Sequence, residues 1–412
     1  MSFAPASVEP PRLRRARRAV AACFFLNAVF YAGLVPRLPA VKAELELSST
    51  ALGAALAAVP LGALVAGLSS AALNRRFGSG RVASYGLALL GAVVWTVSVA
   101  PNWLGLAAAF LVVGALDAVV DVAQNAHGLR VQRLYGRSII NSLHGVWSIG
   151  AVTGGLLGSA AAGLDIPLPV HLGASAVVFG AVALVVSRGV LPGSDEPEPV
   201  AEEAPRERPR RRAAVPALAV LGLLAACGAL IEDVGASWSA LYLRTELAAG
   251  AAVAGLGFVA LSAAMTVGRL TGDRVVDRFG ERRVAQAGGA LAAGGLGVAL
   301  AWPSVPSTLI GFALAGLGVA TLIPAVYHAA DELPGLPHGQ GLMVINWLLR
   351  IGFLLSPPLI GVVADAFSLR VALLGVVLAG IGALVLGRAL PGRPAAAPTP
   401  AGNRPDGGGS AR

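Results

Sequence analysis

The sequence predicts an all-α polytopic membrane protein: twelve transmembrane helices in two pseudo-symmetric six-helix bundles. Three observations predict it. Of 412 residues, 56% are apolar and 13% charged, with a mean hydropathy of +0.74; soluble domains carry about 25% charge. The apolar residues fall in blocks that match a bilayer core of roughly 30 Å, which takes about 20 residues of helix to cross. The two halves of the chain also repeat one another. This composition excludes an ordinary water-soluble enzyme and a disordered or fibrous chain. Two cysteines, Cys23 and Cys227, both in apolar blocks, exclude a disulfide framework and a cysteine-rich metal site.

The blocks lie near 19–36, 51–73, 82–101, 104–124, 139–162 and 168–187, then near 215–240, 251–271, 284–302, 306–329, 341–363 and 370–390. They are runs rich in Leu, Ala and Gly without period-two alternation, so they read as helices and not as strands of a barrel. The first block follows Arg12, Arg14, Arg15, Arg17 and Arg18 in the manner of a signal peptide. Its length and the eleven spans behind it favour an uncleaved first helix.

Arginine placement sets the expected orientation. With the N-terminus inside, the cytoplasmic segments hold Arg75, Arg76 and Arg81, then Arg130, Arg133 and Arg137, then Arg188, Arg206, Arg208, Arg210, Arg211 and Arg212, then Arg274, Arg278, Arg282 and Arg283. The opposite face has Arg37, Lys42, Arg244 and Arg370. That asymmetry is what positive-inside insertion demands. The net charge of +9 and the pI near 10.6 therefore report topology and not a nucleic-acid partner. Both termini are expected in the cytoplasm, and Trp103, Trp238 and Trp302 at the outer interface.

Five segments follow: a basic tail 1–18, a bundle 19–188, a linker 189–213, a bundle 214–390 and a tail 391–412. The linker is proline-rich, an acidic block before a basic one, and reads as a solvated tether. The C-terminal tail is of low complexity. The halves share a register: Arg76-Phe77-Gly78 matches Arg278-Phe279-Gly280 at an offset of 202, and the same offset pairs Glu44-Leu45 with Glu246-Leu247 and Gly150 with Gly352. Both halves start inside, so they are parallel repeats about an axis along the membrane normal, with a site expected at their interface.

The segment Gly272-Asp273-Arg274-Val275-Val276-Asp277-Arg278-Phe279-Gly280-Glu281-Arg282-Arg283 resembles the gating loop of the major facilitator superfamily, Gly-x-x-x-Asp-Arg-x-Gly-x-Arg-Arg. Asp273 occupies the motif's glycine position. The resemblance implies a cytoplasmic ionic latch of Asp277 and Arg278 that stabilises an outward-facing state, with Gly280 at the turn and Arg283 beside it. In the first half Arg75 stands where the family has Asp. The stripe Gly150, Gly154, Gly155 and Gly158 is similar to a motif of the family's exporters, and such residues also let helices approach closely. Arg37-Leu38-Pro39, Asp121 with Asn125, His144-Gly145 with Ser148, Glu232 ahead of Trp238-Ser239, and Ser356-Pro357-Pro358 with Gly361 resemble a bacterial subgroup related to fucose permease and rhizopine-linked membrane proteins. That resemblance implies a small polar, sugar-like substrate.

Charged groups at membrane depth are costly and mark function. Asp117 and Asp121 lie four residues apart on one face of the fourth span, with Asn125 extending the stripe. Two carboxylates so close resist joint ionisation, which suits a proton carrier; for Asp121, cytoplasmic water or Arg130 is the simpler explanation. Glu232 and Asp233 sit mid-way along the seventh span, about 100° apart on the helix, so they need not share a cavity. Glu232 matches the subgroup's embedded acid and is the leading proton or substrate site. Arg350 reads as the only deep basic residue, roughly 13 Å from the cytoplasmic face. It needs an anion, from Glu232, Asp117 or substrate. Asn27 and Tyr31 share a helical face, and with Trp147, Asn346 and Trp347 they suit a polar cavity with aromatic walls. His144 and His328 lie near cytoplasmic ends.

Lys42 is the only lysine, so a phosphate-binding Gly-x-x-x-x-Gly-Lys loop is excluded. No cofactor, metal or catalytic residue is expected. The expectation is a monomeric secondary transporter of the cell membrane, driven by protons and moving a small solute by alternating access. A non-transporting sensor or scaffold, a uniporter and an exporter of the same fold are the alternatives.

Overall fold

The computed structural model describes residues 11–193, 211–333, 336 and 339–391. Residues 1–10, 194–210 and 392–412, which carry much of the expected tails and linker, lie outside the described residues. Twelve helices are long and apolar enough to cross a membrane: Pro11–Glu44, Ser49–Gly67, Ser79–Val99, Trp103–Tyr135, Ile140–Gly163 and Leu168–Val186, then Ala214–Thr245, Ala251–Phe279, Glu281–Ala301, Val305–Asp331, Gln340–Ala366 and Leu369–Ala389. They are called the first to twelfth spans below. No strand occurs among the described residues.

The order matches the hydropathy blocks, but several helices overrun them, the first from Pro11 to Glu44. The fourth runs to Tyr135, the seventh to Thr245 and the eighth to Phe279. Hydropathy marks the stretch that suits lipid, whereas a helix continues until something stops its hydrogen-bond ladder. For the fourth span that is Gly136, in the left-handed region at φ 72°; for the eighth it is Gly280 at φ 83°. Trp238, expected at an outer interface, is fully buried among core side chains, with seven further helical residues after it.

The internal repeat is visible in the backbone. Gly78 has the same φ of 83° as Gly280 and joins consecutive helices in the same way. Arg76 lies 5.3 Å over the Phe77 ring and Arg278 lies 5.5 Å over that of Phe279. In the first bundle the first span packs on the fifth and the second on the fourth; in the other, the seventh packs on the eleventh and the ninth on the tenth and twelfth. Gly150, Gly154 and Gly158 set the first of these contacts, since a Cβ at any of them would collide with backbone of the first span.

The bundles meet where the fifth span packs on the eighth, and where the helix Ser49–Leu56 packs on the eleventh. The tightest approaches lie at the arginine-poor end. There the Asp365 carboxylate accepts hydrogen bonds from the backbone N–H groups of Ser49 and Thr50, 2.9 and 2.7 Å. At the arginine-rich end Arg75, Arg76, Asp277 and Arg278 are exposed. The crevice between the bundles is thus sealed at one end only.

Candidate functional site: a charged cavity between the bundles

A cavity of about 470 Å³ lies in this crevice, lined by the first, second, fourth and fifth spans on one side and the seventh, eighth and eleventh on the other. Helical periodicity dictates its walls. Ser262, Met265, Thr266 and Arg269 follow one another at the three- and four-residue steps that keep side chains on one face, as do Asn346, Leu349, Arg350 and Phe353. Pro357 continues the second stripe.

Of the residues singled out in the sequence, Asn27, Tyr31, Asp117, Trp147, Glu232, Asn346 and Arg350 line this one cavity. They include a hydrogen-bonded chain. Trp147 Nε1 donates to Asn27 Oδ1 at 2.9 Å, and Asn27 Nδ2 donates to Asp117 Oδ1 at 2.7 Å. Asn27 is only 5% exposed, so both ends of its amide are committed and the Asp117 carboxylate is held in one orientation. Tyr31 stands within electrostatic reach of Asp117 and, across the crevice, of Asp233. Tyr327 donates to Asn346 Oδ1 at 3.2 Å.

Asp233, which need not have shared a cavity with Glu232, lines the same one, and Ser237 Oγ donates to it at 3.3 Å. Three expectations need correction. Asp121 does not line the cavity. It is exposed and accepts from Gln124 at 3.2 Å and Asn125 at 3.0 Å, while Arg130 donates instead to the Pro192 and Gly193 carbonyls. Trp347 is half exposed and turned away. Arg350 is not the only deep cation: Arg269 lines the cavity and reaches Glu232 Oε1 at 3.5 Å. It escaped notice because hydropathy ended the eighth span two residues beyond it. The polar stripe Ser262, Thr266, Arg269 was the available signal.

Three carboxylates, Asp117, Glu232 and Asp233, thus face two guanidiniums, Arg269 and Arg350. Arg269 takes Glu232. Arg350 is within electrostatic reach of Asp121 and Tyr327, and the amide of Asn27 holds Asp117. The acids come from both bundles and the cations from one.

Away from the cavity, Asp273, Asp277, Arg278 and Arg283 are exposed around the Gly280 turn. His328 lies 2.9 Å from Glu281 and 3.4 Å from Glu332 within its own bundle. His144 is exposed and meets Phe24 edge-on at 5.2 Å.

The profile of the Major Facilitator Superfamily matches residues 218–410. An uncharacterized MFS-type transporter of Yersinia pestis is 29% identical over 350 residues, covering 85% of this chain and 89% of its own. Membrane protein MosC of Rhizobium meliloti is 29% identical over 367 residues, covering 88% and 87%. Among solved structures, a bacterial homologue of the human lysosomal transporter Spinster, described as inward-facing and unoccupied, superposes with a TM-score of 0.71 at 15% identity, covering 93% of this chain and 98% of that one.

Proposed function

We propose that this chain, a multi-pass membrane transporter of the Major Facilitator Superfamily, is a proton-coupled secondary carrier that moves a small polar solute by alternating access. The observation that carries this reading is the charge inventory of the cavity, three carboxylates against two guanidiniums. The surplus acid takes up a proton or faces a cationic group of the substrate, because an unbalanced charge at membrane depth is costly. Glu232 is the coupling acid in this account. Arg269 holds it when it is ionised and is freed when it is protonated.

Positive-inside topology supports placing the arginine-rich end and both termini in the cytoplasm of a cell whose plasma membrane holds the carrier as a monomer. The bundles 19–188 and 214–390 are the moving bodies, tethered by 189–213. In the conformation described, with contacts at the arginine-poor end, the cavity is reached from inside. Asp277 and Arg278 stand free of the opposite bundle here, which fits a latch, with Asp273, Gly280 and Arg283 shaping its loop, that engages only when the cytoplasmic end closes. The amides of Asn27 and Asn346, the Tyr31 hydroxyl and the Trp147 ring suit a polyhydroxylated solute, which offers hydroxyl donors and acceptors together with an apolar ring face.

A thermal-shift screen of monosaccharides and cyclitols on purified protein, followed by counterflow of the stabilising solute in proteoliposomes, tests the reading. Counterflow above empty vesicles is the expected result. Stabilisation with no counterflow would instead assign the fold to sensing.

A further inference from the structure

A second cavity, of about 710 Å³, opens between the bundles at the arginine-poor end. Its walls come from residues 36–47 and 162–167 of one bundle and from Leu241, Arg244, Thr245, Ala251 and Ala254 of the other. Arg37 lines it while being only 6% exposed. The backbone presents this side chain rigidly: Arg37 ends a short 3-10 turn, Val35–Arg37, with Pro36 before it and Pro39 just after. Nη2 donates to the Ile166 carbonyl at 2.7 Å, whereas Nε and Nη1 are buried without a hydrogen-bond partner. Among the described residues Arg37 has no ion pair. Asp165, the acid whose field reaches it, is exposed.

A guanidinium buried with open donors is a costly arrangement unless an anion completes it. The other charged groups around this cavity are Lys42 and Arg244, with Glu46 and Asp165 on the acidic side, and His171 stands close to Arg37. We propose that the Arg37 cavity is an oxyanion-binding site, taking a phosphate or carboxylate group against Arg37 with Lys42 and Arg244 at its rim. Guanidinium donors match the geometry of both groups. Since both bundles supply its walls, an occupant ties them together at this end. This site is separate from the central cavity and does not depend on proton coupling there.

The test is thermal melting of the purified full-length protein in sodium phosphate against sodium chloride at matched pH and ionic strength. A parallel arm uses nanodiscs of phosphatidylglycerol or phosphatidylcholine, which separates a free oxyanion from a lipid headgroup. A saturable rise of about 3 °C or more with phosphate is expected, lost in Arg37→Gln. Because Arg37→Gln alters a buried position and can fail to fold, Arg244→Gln and Lys42→Gln at the rim are measured too, each expected to weaken apparent phosphate affinity several-fold. Stabilisation by phosphatidylglycerol alone, removed by the same substitutions, assigns the site to a headgroup. No saturable effect in either arm, or an equal effect in the rim variants, overturns the proposal.

Discussion

The carboxylate of Asp365, at the end of the eleventh span, accepts a 2.7 Å hydrogen bond from the backbone N–H of Thr50 and a second, of 2.9 Å, from Ser49. It therefore caps a helix that belongs to the opposite bundle. The first N–H groups of a helix have no partner within it, and an anion there also meets the helix dipole. Ser48 supplies the local cap, accepting from Ala51, so Asp365 adds two bonds that exist only while the bundles touch. Asp365→Ala should cost the sealed conformation about 1–2 kcal/mol, discounted for solvent exposure. Spin labels at Pro101→Cys and Pro303→Cys, with Cys23 and Cys227 replaced by alanine, should report a longer distance across the arginine-poor end in a larger fraction of molecules. An unchanged distribution would show that the cap does not hold the seal.

Gly53 and Gly361 make the same closure sterically possible. A Cβ on Gly53 would collide with the Pro357 carbonyl, and one on Gly361 with the carbonyl of Ser49. Gly361→Val should disfavour the sealed state by about 1–3 kcal/mol, the usual cost of overpacking. Cysteine reactivity at the arginine-poor end should rise. If reactivity stays at the wild-type level, the bundles do not depend on this contact.

Asn27→Ala breaks the chain from Trp147 to Asp117. It leaves the half-buried Trp147 indole N–H and the Asp117 carboxylate each short of a partner, a loss of about 1–3 kcal/mol. Transport should fall roughly tenfold or more, and the tryptophan emission should change. Wild-type counterflow in this variant would remove Asn27 from the site.

The Glu232–Arg269 pair is 3.5 Å long, with side chains 25% and 38% exposed, so it contributes little to stability, about 0–1 kcal/mol. Arg269→Gln should leave melting nearly unchanged while abolishing coupled transport. Arg269→Lys should retain part of it. Loss of stability in step with loss of transport would mean that the pair is structural.

The sequence makes most of this architecture legible, and the boundary between what it reveals and what it hides is physical. Hydropathy finds spans because lipid imposes a length, and the Phe-Gly pairs at 77–78 and 279–280 expose the repeat because each marks a turn with positive φ. Asn27, Tyr31, Asp117, Trp147, Glu232, Asn346 and Arg350 were legible as costly polar groups, and one cavity gathers them. Asp121, for which water was the simpler explanation, is exposed and lies outside that cavity. Arg269 was passed over because it sits two residues inside the end of an apolar block, and the burial of Trp238 was hidden because packing between helices decides it. How far each helix turns its stripe toward the crevice depends on packing between helices, such as the Gly150, Gly154 and Gly158 contact with the first span, which no single span encodes.

Proton coupling requires the excess of acid over base in the central cavity, and accumulation driven by an imposed pH gradient measures it. Proteoliposomes, acid outside, are loaded with the solute identified by counterflow. The wild type should accumulate it against its gradient, and Glu232→Gln should still exchange solute while losing all response to the pH difference. Accumulation by Glu232→Gln equal to the wild type, or wild-type uptake indifferent to the gradient, would contradict proton coupling at this site.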